Sequence, residues 1–134
     1  MIPAKKIAAI TKRILKQQGI ARATLSLVFV TDHKIKKLNK RYLGHDFATD
    51  VLAFDLNASQ GMPIKEASLN AEIVISTTTV CRNAKRFTTT PFKELILCII
   101  HGILHLSGYD DHGPQDVIKM REREGQIMGK VLTS

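Results

Sequence analysis

The sequence predicts an α+β fold: one small sheet with helices packed on it around a buried central helix. Three observations carry this. Apolar, β-branched runs interleave with amphipathic helical segments along the chain. The run from Phe92 to Leu106 is apolar nearly all round, as a helix must be when other elements enclose it. The chain has 134 residues, 44% hydrophobic and 24% charged, so a single domain over 1–134 is expected, burying roughly two thirds of the surface its unfolded form exposes.

The first helix opens at Pro3, where a missing N–H costs nothing, and Gly19 stops it. Ala4, Ile7, Ala8, Ile10, Ile14 and Leu15 form its apolar face, with Lys5, Lys6, Lys12, Arg13 and Lys16 opposite. Ala23 to Val30 reads as a buried strand. Thr31 or Asp32 then caps a short helix in which Ile35, Leu38 and Tyr42 keep the helical spacing and Lys34, Lys36, Lys37, Lys40 and Arg41 point away. Leu43 to Thr49 is a loop carrying His45 and Asp46, and Asp50 to Asp55 is a second strand. Leu56 to Leu69 has the Asn, Ser, Gly and Pro content of a loop, and Ala71 to Ser76 is a third strand. A helix over Thr77 to Phe87 follows, then Thr90 as N-cap with Pro91 at the first position of the central helix. Pro114 opens the last helix, packed through Val117, Met120, Ile127, Met128 and Val131, with Lys119, Arg121, Glu122, Arg123 and Glu124 on a solvated face.

His101 and His105 stand four residues apart in the central helix, so their imidazoles lie one above the other on one face. Gly108 allows a sharp left-handed stop, after which the chain folds back and brings Asp110, Asp111 or His112 toward the same point. Catalytic zinc sites use three protein ligands and leave a fourth position to water, a demand that three histidines from a helix and its return loop meet. The zinc metalloproteases with H-E-x-x-H share the paired histidines and the glycine turn, but here Gly102 stands where their glutamate would be. Two core histidines, each donating to a backbone carbonyl, are the plainer alternative. The convergence of an i, i+4 pair with a third histidine favours a metal.

Charge is distributed unevenly. Residues 1 to 41 hold eleven Lys and Arg against one Asp, and the remainder nine against eleven, within a total of +8. A positive field gathered at one end suits a polyanion, and with only seven aromatics the expected contact is with a phosphate backbone rather than with stacked bases. Cys81 and Cys98 are not spaced as a metal knuckle or redox pair and read as small buried hydrophobes. The M-I-P-A-K-K start lacks the apolar core of a signal peptide, and no segment approaches a membrane span, so a cytoplasmic location with no membrane partner is expected.

H-G-I-L-H-L-S-G-Y-D-D-H, from His101 to His112, resembles the signature of the YbeY family of bacterial endoribonucleases, H-G-x-L-H-L-x-G-Y-D-H. L-N-K-R-Y-L-G-H-D-F-A-T-D-V-L-A-F from Leu38 and E-I-V-I-S from Glu72 are similar to two further family blocks, in the same order. The resemblance implies a small mixed sheet flanked by helices, zincin-like, with a buried metal-binding helix. It implies one Zn2+ ion on His101 and His105. For the third ligand, Asp111 stands at the family's usual distance and His112 is the usual residue type; His112 is expected, because a loop absorbs one extra residue more readily than a catalytic zinc site accepts another negative ligand. Leu43 falls where many members have an arginine, and Arg41 or His45 is placed to compensate.

The function implied is a zinc-dependent endoribonuclease acting on single-stranded ribosomal RNA in small-subunit 3′-end maturation and ribosome quality control. Its partners would be ribosomal RNA, the ribosome and ribosomal proteins. Asp110, Asp111, Arg41 and His45 are the candidate catalytic residues. Two other classes stay open: a zinc metallopeptidase-like hydrolase, which the missing glutamate disfavours, and a non-catalytic assembly factor with structural zinc. Sequence leaves the oligomeric state undetermined.

Overall fold

The computed structural model describes residues 2–56 and 68–132. Its elements are α1 (Ala4–Gln17), β1 (Arg22–Val30), α2 (Asp32–Leu43), β2 (Val51–Asp55), β3 (Ser68–Ser76), α3 (Thr77–Arg86), α4 (Pro91–Leu106) and α5 (Pro114–Leu132). The three strands form one mixed sheet in the order β1-β3-β2, with β1 parallel and β2 antiparallel to β3. Most of the loop expected between Leu56 and Leu69 falls outside the described residues. Strand β3 starts at Ser68, earlier than the expected Ala71, because Ser68, Leu69 and Asn70 pair with Arg22, Ala23 and Thr24 of β1.

Helix α4 is the centre of the molecule, as its composition predicts. Thr90 caps it by accepting from the Lys93 N–H at 3.2 Å, and Pro91 occupies the first turn. Ile96, Ile99, Ile100, Ile103 and Leu104 have no exposed surface, each such side chain contributing roughly 1.5–3 kcal/mol through burial. Gly102 is the point of closest approach to the sheet: a Cβ there would lie 2.9 Å from Ile73 Cδ1 and 3.2 Å from its two γ-carbons. A side chain at 102 would therefore enter the core beside β3.

Several expectations are corrected by packing. Strand β1 is not buried: among the described residues it pairs with β3 alone, which leaves it a sheet edge with a largely exposed pattern and Phe29 43% exposed. On α1 the buried stripe is only Ile10, Thr11 and Ile14, while Ala4 and Ala8 face outward. Pro3 is the N-cap and not the first helical residue. Tyr42 keeps its helical position but is exposed, touching Phe54 edge-on. Cys98 is buried as expected, but Cys81 is exposed on α3. No single helix of the described residues is long and apolar enough to cross a membrane.

One polar knot ties α2 to α3. The Asp32 carboxylate, at the start of α2, accepts from Ser76 Oγ, Thr79 Oγ1 and Arg82 Nη2, each at 2.5 Å, while Ser76 itself caps α3. These three hydrogen bonds, that from Ser76 first, hold its pKa at about 2 against an ordinary 3.8. A carboxyl with a depressed folded pKa stabilises the fold above its unfolded value and loses that contribution as pH falls through the folded one. Asp32→Asn is therefore expected to cost about 1–2 kcal/mol at neutral pH. The gap between the melting temperatures of wild type and variant should close between about pH 4 and pH 2. A gap that stays constant over that range would remove Asp32 as its source.

Candidate metal centre

Helix α4 delivers its two histidines to one point at its C-terminal end. The His101 and His105 rings sit 4.7 Å apart by centroid and nearly perpendicular, with their Nε2 atoms 3.1 Å from each other. The helix then stops where the sequence predicts. Gly108 takes φ of +102°, its N–H reaches the His105 carbonyl, and the Tyr109 N–H reaches the Leu104 carbonyl, which is the paired bonding of a Schellman turn. Tyr109 packs on the core, so the chain leaves the helix from a fixed point.

The third group at this point is Asp111. Its Oδ2 lies 3.6 Å from His105 Nε2 and 3.9 Å from His101 Nε2, and His101, His105 and Asp111 offer ligand atoms all within 4.8 Å of one another. The expected His112 is not brought to the pair. It is 86% exposed, and its Nδ1 binds Asp110 Oδ1 at 2.5 Å. The physical reason lies in the extra residue of D-D-H. Asp110 and His112, two apart, are bonded to each other, and Asp111 between them is the residue whose carboxylate reaches the histidine pair. Asp110, Asp111 and His112 form a second close group, but all three are exposed. The hydrogen bond between them raises the pKa of His112 and lowers that of Asp110.

Helix α5 supplies a residue that sequence reading placed on the solvated face. Glu124 Oε2 is 2.8 Å from His101 Nδ1, and the carboxylate is only 13% exposed. Burial works to lower the His101 pKa, but the hydrogen bond and charge of Glu124, with Asp50 and Asp111 behind them, outweigh it and raise the value. A carboxylate at Nδ1 fixes the N–H there and leaves the Nε2 lone pair directed at His105 and Asp111. A signal for Glu124 was present in the sequence. Met120, Glu124, Ile127 and Val131 follow one helical stripe, and a lone charge on a stripe whose other members are buried has a partner inside. Arg123, its neighbour, also turns inward, binding Gln18 Oε1 and the Gln17 carbonyl at the end of α1.

Beside His101 and Glu124 lies a cleft of about 510 Å³, lined also by Asp50, Glu94, Cys98 and Arg121. Burial, then the charges of Asp50 and Glu94, push the Cys98 thiol pKa upward, so it is a neutral packing group and no thiolate ligand. Glu94 accepts from Thr89 Oγ1 at 2.8 Å in the first turn of α4. Arg41 and His45 are exposed at the end of α2 and in the loop beyond; their ring contacts are with Tyr42 and Phe47, each at 5.4 Å.

The donor set fits a tetrahedral divalent ion. Two nitrogens bonded at roughly 2.0–2.1 Å to such an ion lie about 3.3 Å apart, close to the spacing found here. Two histidines with one carboxylate is also a ligand set of catalytic zinc sites, and Glu124 stands as the outer carboxylate that metal-bound histidines ordinarily have.

Comparison with known proteins places the chain in a family. Residues 2–132 match the family described as Endoribonuclease YbeY. Among similar proteins, the Endoribonuclease YbeY of Chlorobium phaeobacteroides is 30% identical over 98% of this chain and 90% of its own length. That of Desulforamulus reducens is 37% identical over 95% and 85%. The solution structure of TM1509 from Thermotoga maritima superposes with a TM-score of 0.64 at 30% identity, covering 98% of this chain and 84% of that one. With a matching family across almost its whole length and a fold to accompany it, the chain belongs to the YbeY endoribonuclease family.

Proposed function

We propose that this chain is a metal-dependent endoribonuclease that holds one zinc ion on His101, His105 and Asp111. On this reading it cuts single-stranded ribosomal RNA during small-subunit 3′-end maturation and ribosome quality control, in the cytoplasm, with the ribosome and its proteins as partners. The observation that carries the reading is the convergence of two Nε2 atoms 3.1 Å apart and a carboxylate within 3.9 Å of both. When bound, the ion supplies Lewis acidity toward a phosphate oxygen and lowers the pKa of a coordinated water toward about 7.

The chain's own residues do the rest. Glu124 orients His101 and fixes its tautomer, and Asp111 adds a negative charge that favours a divalent cation. Asp110 binds His112 Nδ1 in the return loop and favours its protonated form, which makes this pair the proposed proton donor to the departing oxygen. Lysines and arginines of residues 1 to 41 bind the strand by its phosphates, with Arg41 and His45 at the end of that row. A peptidase reading loses its remaining support at Gly102, since a glutamate there would point into Ile73 and not at a substrate.

Chelation tests the proposal. Wild-type protein should cleave a single-stranded ribosomal RNA fragment, lose cleavage with metal removed and regain it when zinc is restored. Cleavage that persists in the metal-free protein, checked for residual metal by elemental analysis, would count against the mechanism.

A further inference from the structure

In the chain just before Asp50, which lines the cleft, large apolar and aromatic side chains stand in the open. Tyr42 is 58% exposed, Leu43 53% and Phe47 53%, all within the last turn of α2 and the loop after it. A single exposed ring needs no explanation, but a cluster of them marks a contact surface. The loop is held from below. Gly44 closes α2 in the left-handed conformation, and the buried Asn39 donates from Nδ2 to the Phe47 carbonyl at 3.0 Å and accepts at its own carbonyl from the His45 N–H. Phe47 is thus fixed by its backbone while its ring stays out.

Among the described residues, the ring contacts of Phe47 leave it a stacking face. His45 meets Phe47 at 5.4 Å and 84°, and a perpendicular neighbour covers at most one face of a ring. Cations border the cluster: Arg41 lies 5.4 Å from the Tyr42 centroid, Lys40 pairs loosely with Asp46 at 3.9 Å, and Lys34, Lys36 and Lys37 extend the row along α2. An apolar protein surface gains nothing from that row. A polyanion that also carries π-faces matches both features. The loop also leads to the metal centre. Asp50, three residues beyond Phe47, lines the cleft that contains His101, and three residues span at most about 11 Å.

We propose that Phe47, with Tyr42, forms a stacking subsite for an unpaired base of single-stranded RNA a few nucleotides from the cleaved phosphate. His45 props the Phe47 ring and Arg41 faces the backbone. This deepens the endoribonuclease reading and rests on it. It also departs from the backbone-only contact that the low aromatic content implies.

The test compares the zinc-loaded protein on a short single-stranded RNA with a non-hydrolysable backbone and on the same sugar-phosphate strand lacking bases. Wild type should prefer the base-bearing strand by about five- to fifty-fold. Phe47→Ala should erase most of that preference while leaving the affinity for the abasic strand in place, and Phe47→Trp should keep the preference. Equal weakening on both strands would make Phe47 a loop-shaping residue and overturn the inference. No change on either would hand the surface to another macromolecule and overturn it too. Wild-type protein that cleaves natural RNA yet shows no preference for bases sinks the subsite alone, whereas binding to neither strand sinks the endoribonuclease reading with it.

Discussion

Alanine at His105 or Asp111 is expected to weaken zinc binding by more than about 100-fold, beyond the roughly 10–100-fold that the loss of an outer partner costs. Alanine at His112 should change it by less than about fivefold, the most that an exposed ion pair is worth. The contrast follows from where the three side chains stand. His105 Nε2 and Asp111 Oδ2 are 3.6 Å apart and face His101, whereas His112 is committed to Asp110 in solvent. Competition with a chromophoric chelator measures each affinity, and circular dichroism of the metal-free variants checks that the fold survives. It should, since His105 is about one-third exposed and Asp111 nearly half, so neither truncation hollows the core. If His112→Ala costs as much as Asp111→Ala, the extra residue of the D-D-H loop is absorbed after all and the third position returns to histidine.

Glu124 carries the second large effect. Glu124→Ala should lower zinc affinity by about 10–100-fold, with Glu124→Gln nearer the tenfold end because the amide oxygen still accepts from His101 Nδ1. The Gln variant has a second readout. The Glu124 hydrogen bond and charge raise the His101 pKa against the opposing effect of burial, so removing the charge should move that pKa down in the metal-free protein, as followed by NMR titration. A residue that merely packed α5 against α4 would leave the titration of His101 where it was. Unchanged metal affinity and an unmoved pKa would together dismiss Glu124 as an orienting group.

Much of the site is legible in local sequence because its geometry is local. The i, i+4 spacing places His101 and His105 on one face, Thr90 and Pro91 set the start of their helix, and Gly108 sets its end. Each rests on backbone rules acting over a few residues, and the structure reproduces each. The third member is different. Whether Asp111 or His112 meets the pair depends on which way two successive side chains leave a turn, and spacing alone favours neither. Glu124 depends on a contact 23 residues away in sequence, made only because α5 lies across α4. Its place in the Met120, Ile127 and Val131 stripe was the available clue, but a mixed-charge helix offers a solvated face as the simpler reading. Strand β1 misled for a related reason. Its apolar composition suits the middle of a sheet, yet sheet order is fixed by long-range pairing, and among the described residues it lies at an edge.

By itself the sequence determined the family, the alternation of elements, the central apolar helix and the two histidines within it. Those are properties of composition and short spacing, which the chain carries wherever it goes. Only the tertiary structure decided which carboxylates meet those histidines and that Tyr42 and Phe47 stand exposed in and after the last turn of α2. The first depends on α5 being packed to within a hydrogen bond of α4, a contact 23 residues away that no local pattern encodes, and the second on which side chains the packing leaves uncovered.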